Sequence, residues 1–114
     1  MKEYVMIPFK VNADKVDEAK KIINELISNV RENEPGVLLY KSLQAKEDPT
    51  TFIHFIIFKD SEAQMDHRRA GYVVRFVKDL YSICPADPHP VFLESFASCG
   101  IAAEALDKAE LSGA

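Results

Sequence analysis

The sequence predicts one α+β domain whose elements run strand, helix, strand, strand, helix, strand. Three observations carry this. The chain has 114 residues, the length of a single ordinary domain. Segments with a two-residue hydrophobic period alternate with segments of helical period, and turns containing Pro, Gly or Asp separate them. The strand segments are also apolar on both faces, so helices in right-handed crossovers can cover only one face of the sheet.

The first strand spans Tyr4 to Val11, with Val5, Ile7, Phe9 and Val11 on one face and Tyr4, Met6 and Pro8 on the other. Pro8 cannot donate to a ladder, so it should face solvent, a bulge or a strand break. Asn12-Ala13-Asp14 supplies N-cap chemistry for a helix over about Asp14 to Glu32, whose stripe is Val16, Ala19, Ile22, Ile23, Leu26, Ile27 and Val30. Glu34-Pro35-Gly36 stops it, with Gly36 free to take positive φ. The second strand begins at Val37, and Lys46 to Thr50 turns the chain into a third strand, Thr51 to Phe58, hairpinned to the second.

Asp60-Ser61-Glu62 opens the second helical region, where Ser61 and Gln64 fit a capping box. Gly71 interrupts it, leaving a short piece near Glu62 to His67 and a longer one with Val73, Phe76, Val77 and Leu80 as its stripe. A proline-rich loop leads to the last strand, Val91 to Ser98. The domain is thus 1–99. The remaining tail, 100–114, has helical spacing but little bulk and is either a loosely held helix or an arm packed on a partner.

Composition narrows the function. Hydrophobic residues make up 47% and charged residues 28%, a globular balance. A net charge of -4 argues against a nucleic-acid partner, whose binding depends on a Lys/Arg surface. No apolar run approaches the length needed to cross a bilayer, and Met1-Lys2-Glu3 leads directly into the first strand without a cleavable leader. Cys84 and Cys99 share no metal-binding spacing. A reduced, cytoplasmic protein with no metal or other cofactor is the expectation.

Taking the more uniformly apolar faces as helix-packed leaves Tyr4, Met6, Pro8, Leu38, Tyr40, Ser42, Gln44, Phe52, His54, Ile56, Phe58, Phe92, Glu94 and Phe96 uncovered. Such a surface calls for a second copy of the chain in a homodimer, with a pocket for a small apolar or aromatic ligand between the sheets. His54, in mid-strand, is read either as a satisfied core or interface histidine or as a pocket group that accepts a proton. Tyr40, Ser42 and Glu94 admit the same two readings, Glu94 otherwise pairing with a cation across the dimer. His67 is read as a helix-end histidine favoured by the dipole. Tyr72 and Phe76 share a helix face and Arg75 could hold an anion, with plain amphipathic packing as the alternative reading of all three. There is no phosphate loop, nucleophile elbow or metal-ligand spacing. Any chemistry is therefore modest acid–base work on a substrate, such as a quinol or enolate, that reacts with oxygen once deprotonated.

Glu34-Pro35-Gly36 followed by Tyr40, the Asp48-Pro49 turn before an aromatic-rich strand, and Phe58-Lys59-Asp60-Ser61-Glu62-Ala63 running to His67 resemble the antibiotic biosynthesis monooxygenase family, over roughly Tyr4 to Ser98. The resemblance implies a ferredoxin-like βαββαβ subunit with a four-stranded antiparallel sheet, a dimeric α/β barrel, and oxidation of a phenolic or quinol substrate by oxygen without metal or flavin. His67 matches the family's histidine and inherits a role as base, with His54 as the other candidate. Tyr40, Tyr72, Phe58, Glu94 and Arg75 are the candidate substrate contacts. Ile56 and Phe58 stand where the family often has Glu and then Trp or Tyr, and the chain has no Trp. That departure speaks against haem breakdown. The alternatives are a non-catalytic dimer that binds a small ligand and an acid–base isomerase.

Overall fold

The structure, a computed structural model, describes residues 1–100. The expectation for the tail beyond Gly100 lies outside the described residues. Strand β1 (Glu3–Lys10) is followed by a 3-10 turn (Ala13–Lys15) and helix α1 (Val16–Asn33). The chain continues through β2 (Val37–Gln44), β3 (Thr51–Phe58), α2 (Ser61–Arg69), α3 (Gly71–Tyr81) and β4 (Val91–Leu93). The four strands form an antiparallel sheet in the order β2-β3-β1-β4. The α+β, ferredoxin-like arrangement expected from the sequence is therefore present, with the second helical region split before Gly71 as its spacing predicts.

Helix α1 forms because apolar residues recur on one stripe: Ala19, Ile23, Leu26 and Val30 are all buried. The upper part of this stripe joins Phe9, Phe52 and Leu80 in one core cluster, and the lower part meets Val73 of α3 in another. Burying a Leu or Val side chain contributes roughly 1.5–3 kcal/mol, so this seam anchors α1 and α3 side by side on the sheet.

The register corrects the assignment of the sheet's faces. Val5 lies opposite Ile56, Ile7 opposite His54 and Phe9 opposite Phe52, so Phe52, His54, Ile56 and Phe58 share the helix-covered face with β1's buried residues. Tyr40, Ser42 and Phe92 follow them inward. The outer face instead carries Tyr4, Met6, Pro8, Leu39, Leu43, Ile53, Phe55, Ile57, Val91 and Leu93. Both faces of β3 are apolar, so composition does not choose between them, and the polar His54 goes inside because it finds a hydrogen bond there.

A bulge at Leu38 matters as much. Val37 pairs with Phe58 and Leu39 with Ile57, leaving Leu38 as the extra residue. Val37 and Tyr40, three apart, therefore both pack inward against the same cluster.

Three local expectations change as well. The last strand ends at Leu93, because continuing its register would set Glu94 opposite Glu3, like charges where β1 itself ends. From Glu94 to Gly100 the chain is exposed, and Phe96 is fully so. The cap of α2 is Asp60, whose carboxylate accepts the Ala63 N–H at 2.8 Å, rather than Ser61. Asn12 makes no side-chain cap bond. Pro8 is exposed on the outer face, beyond Met6 where β4's pairing ends, so its missing N–H interrupts no ladder there.

Gly36 does not adopt positive φ. A Cβ there would lie 2.7 Å from the Cβ of Ala63, closer than two carbons can pack, so glycine is needed for the approach of α2 to the α1–β2 turn. Lys59 N–H donates to the Gly36 carbonyl at 2.8 Å and closes the same junction.

Candidate functional site

A cavity of about 390 Å³ lies between the inner sheet face and helices α1, α2 and α3. Its sheet wall is Val5, Ile7, Ile56 and Phe58, with Tyr40 beside them, and its helix wall includes Leu26, His67, Val73 and Phe76. The cavity sits inside one copy of the chain, beneath the helices.

The junction built on Gly36 sets the geometry of the polar groups. Glu34 ends α1, and its carboxylate accepts His67 Nδ1–H from α2 at 2.8 and 3.0 Å. The Tyr72 hydroxyl of α3 donates to the same carboxylate. A carboxylate only accepts, so it fixes a proton on Nδ1, and in the neutral ring the lone pair is then on Nε2. His67 is buried, lines the cavity and lies 5.4 Å, ring to ring, from Phe58. The Tyr72 phenol is pushed up by burial and by the Glu34 carboxylate it serves.

The second polar pair is Tyr40 and His54, joined at 2.8 Å between the phenol oxygen and Nδ1. Strand register and the Leu38 bulge bring them together. His54 is almost wholly buried, edge-on to Phe9 and Tyr40 and stacked near Phe76. Burial lowers its pKa to about 4, so it is neutral at physiological pH, and its Nε2 has no partner among the described residues. The Tyr40 phenol is pushed up, first by burial and then by the Glu34 charge.

Of the residues expected from sequence, His67, Tyr40 and Phe58 line the cavity. His54 stands behind Tyr40, and Tyr72 behind His67. Arg75 is exposed on α3 away from the cavity lining, and Glu94 is exposed beyond β4 among residues beside the outer face. Sequence reasoning gave Glu34 no role in the site, reading it as part of a helix stop and as one anchor of the family resemblance. A signal was present: a carboxylate at a helix C-terminus opposes the dipole, and such a local conflict marks a residue held for another purpose. Gln64, read from sequence as a cap partner, and Arg68 also line the cavity.

The antibiotic biosynthesis monooxygenase family model matches residues 4–79. The chain belongs to that family. The matched span holds Glu34, Tyr40, His54, His67 and Tyr72 and ends before β4. Solved structures of similar fold include an antibiotic biosynthesis monooxygenase with 21% identity and a TM-score of 0.78, aligned over 85% of this chain and 100% of that one. A protein of Caulobacter crescentus, given the same designation provisionally, also has 21% identity and a TM-score of 0.78, over 84% and 91% of the two chains. One from Nitrosomonas europaea, likewise provisional, has 18% identity and a TM-score of 0.76, over 87% and 94%. At these identities they establish the shared fold. Comparison with curated proteins gave no match. No helix among the described residues is long and apolar enough to cross a membrane.

Proposed function

We propose that this family member is a monooxygenase that oxidises a small aromatic or quinol substrate with molecular oxygen, without metal or flavin. The observation that carries the reading is the Glu34–His67 pair, held at 2.8 Å on the lining of a mostly apolar cavity, where Nε2 of a neutral His67 ring is the acceptor. His67 takes the proton of a substrate hydroxyl, and Glu34 steadies the imidazolium that results. The phenolate carbon then bonds to dioxygen. The imidazolium returns its proton to the peroxide, and loss of water breaks the O–O bond and leaves a carbonyl. One oxygen atom enters the ring and the other departs as water, so a hydroquinone and O2 give a hydroxyquinone and H2O. Tyr40 borders the substrate, Phe58 offers it a ring face, and Tyr72 positions Glu34. The low basicity of His54 favours a supporting role for it, behind Tyr40.

An oxygen electrode tests this with a panel of quinols. His67→Ala should lower oxygen uptake roughly a hundredfold or more. Uptake by the native protein no greater than by the His54→Ala/His67→Ala double variant, across the panel, would overturn it. Ile56 and Phe58 at the cavity wall, where the family often carries more polar groups, favour a second reading, a dimer that holds its ligand without turnover. Its signature is binding with no oxygen uptake.

The assembly we propose is a homodimer through the outer sheet face, in the reducing cytoplasm where Cys84 and Cys99 remain thiols. Supporting it are the outer face, largely apolar around Lys41, and the exposed Phe96 at its edge. Sedimentation at micromolar concentration should give twice the chain mass.

A further inference from the structure

One wall of the cavity is chemically unlike the others. Gln64, His67 and Arg68 all line it, at i, i+3 and i+4 on α2, hence on one face of that helix. The facing wall is the apolar sheet.

The charge balance there runs against that of the chain. Acidic residues number 18 and basic residues 14, yet among the described residues no Asp or Glu lines the cavity, and Arg68 is the permanently charged residue that does. Glu34, the nearest carboxylate along the polar network, is engaged by His67 and Tyr72. Arg68 makes no ion pair among the described residues, and the amide of Gln64 beside it is neutral. A guanidinium that lines an apolar cavity and lacks a carboxylate partner is complementary to an anion brought by the ligand.

We propose that the cavity takes an aromatic carboxylate, with its ring against the sheet wall near Phe58 and its carboxylate on Arg68. This rests on the monooxygenase reading for the reaction but not for the binding. It narrows the substrate to a phenol or quinol that carries an acidic substituent, placed so that the hydroxyl reaches His67 one residue away on the same helix. The carboxylate stays charged through the reaction, so Arg68 acts on affinity and orientation rather than on the proton transfer.

The test uses two ligands that cannot be oxidised in this way, naphthalene carboxylate and naphthalene methanol, titrated calorimetrically into the full chain. The native protein should prefer the carboxylate. Arg68→Gln should weaken carboxylate binding about tenfold, the loss of a partly exposed charge-assisted bond, and leave the alcohol unchanged. Arg68→Lys should retain the preference and Arg68→Glu reverse it. Arg68 is exposed and makes no ion pair among the described residues, so these variants should fold, which circular dichroism checks. The proposal is overturned if the native protein shows no preference, if neither ligand binds, or if Arg68→Gln weakens both equally. Absence of oxygen uptake with any quinol, alongside a retained carboxylate preference, would refute the reaction while leaving this binding assignment standing.

Discussion

Glu34 is the residue on which three helices converge. It lies where the helix dipole disfavours a negative charge, and two donors from different helices offset that cost. Glu34→Gln keeps the shape but gives the His67 side an amide that can donate, so the proton need no longer sit on Nδ1. Oxygen uptake should fall roughly a hundredfold with substrate affinity little changed, a loss in kcat rather than in KM. His54 yields a prediction about stability. Its pKa of about 4 in the fold lies below the ordinary 6.5, so the unfolded chain binds more protons between those values. Its contribution is therefore intact above pH 6.5 and is lost progressively as pH falls toward 4, by about 3 kcal/mol in all. Replacing the pair together, Tyr40→Phe with His54→Leu, should leave stability near neutral pH almost unchanged and flatten this acid limb in denaturant titrations. The place of a group was legible in sequence where the family resemblance marked it, as it marked His67, which lines the cavity. It was not legible where position supplied the meaning, since nothing in Glu34 alone says that His67 and Tyr72, 33 and 38 residues further along, fold back onto it.

At the level of elements, the contact between Gly36 and Ala63 sets how closely α2 approaches the turn after α1. Gly36→Ala would force two methyl carbons to 2.7 Å, and α2 or the turn must give way. Overpacking of this kind costs about 1–3 kcal/mol, visible as a lower Tm, and Ala63→Gly in the same chain should restore much of it. The strands and helices themselves were readable, because α1's stripe and β3's boundaries follow directly from period and turn residues. The facing of β3 was not, since alternation gives two faces but not which one the helices choose. A bulge at Leu38 and the end of β1 at Glu3 decide register and the length of β4, and both are properties of pairing between strands rather than of any one strand.

The whole molecule presents one sheet face to its helices and leaves the other apolar. Phe55, half-buried on that outer face and opposite Met6 and Lys41, should sit near the centre of the proposed dimer contact. Phe55→Asp should give a chain that sediments as a monomer while retaining its far-ultraviolet dichroism. A native protein already monomeric at micromolar concentration would remove the need for that interface.

The short helix α2 also says something about how such a protein diversifies. Of its nine residues only His67 is buried, Asp60 fixes its start and Ala70 caps its end. Gln64 and Arg68 can therefore be exchanged with little disturbance to the core, while His67 keeps its tie to Glu34. The helix behaves as an interchangeable cartridge, in which the proposed ligand preference can drift under selection while the scaffold and the proposed proton acceptor stay in place.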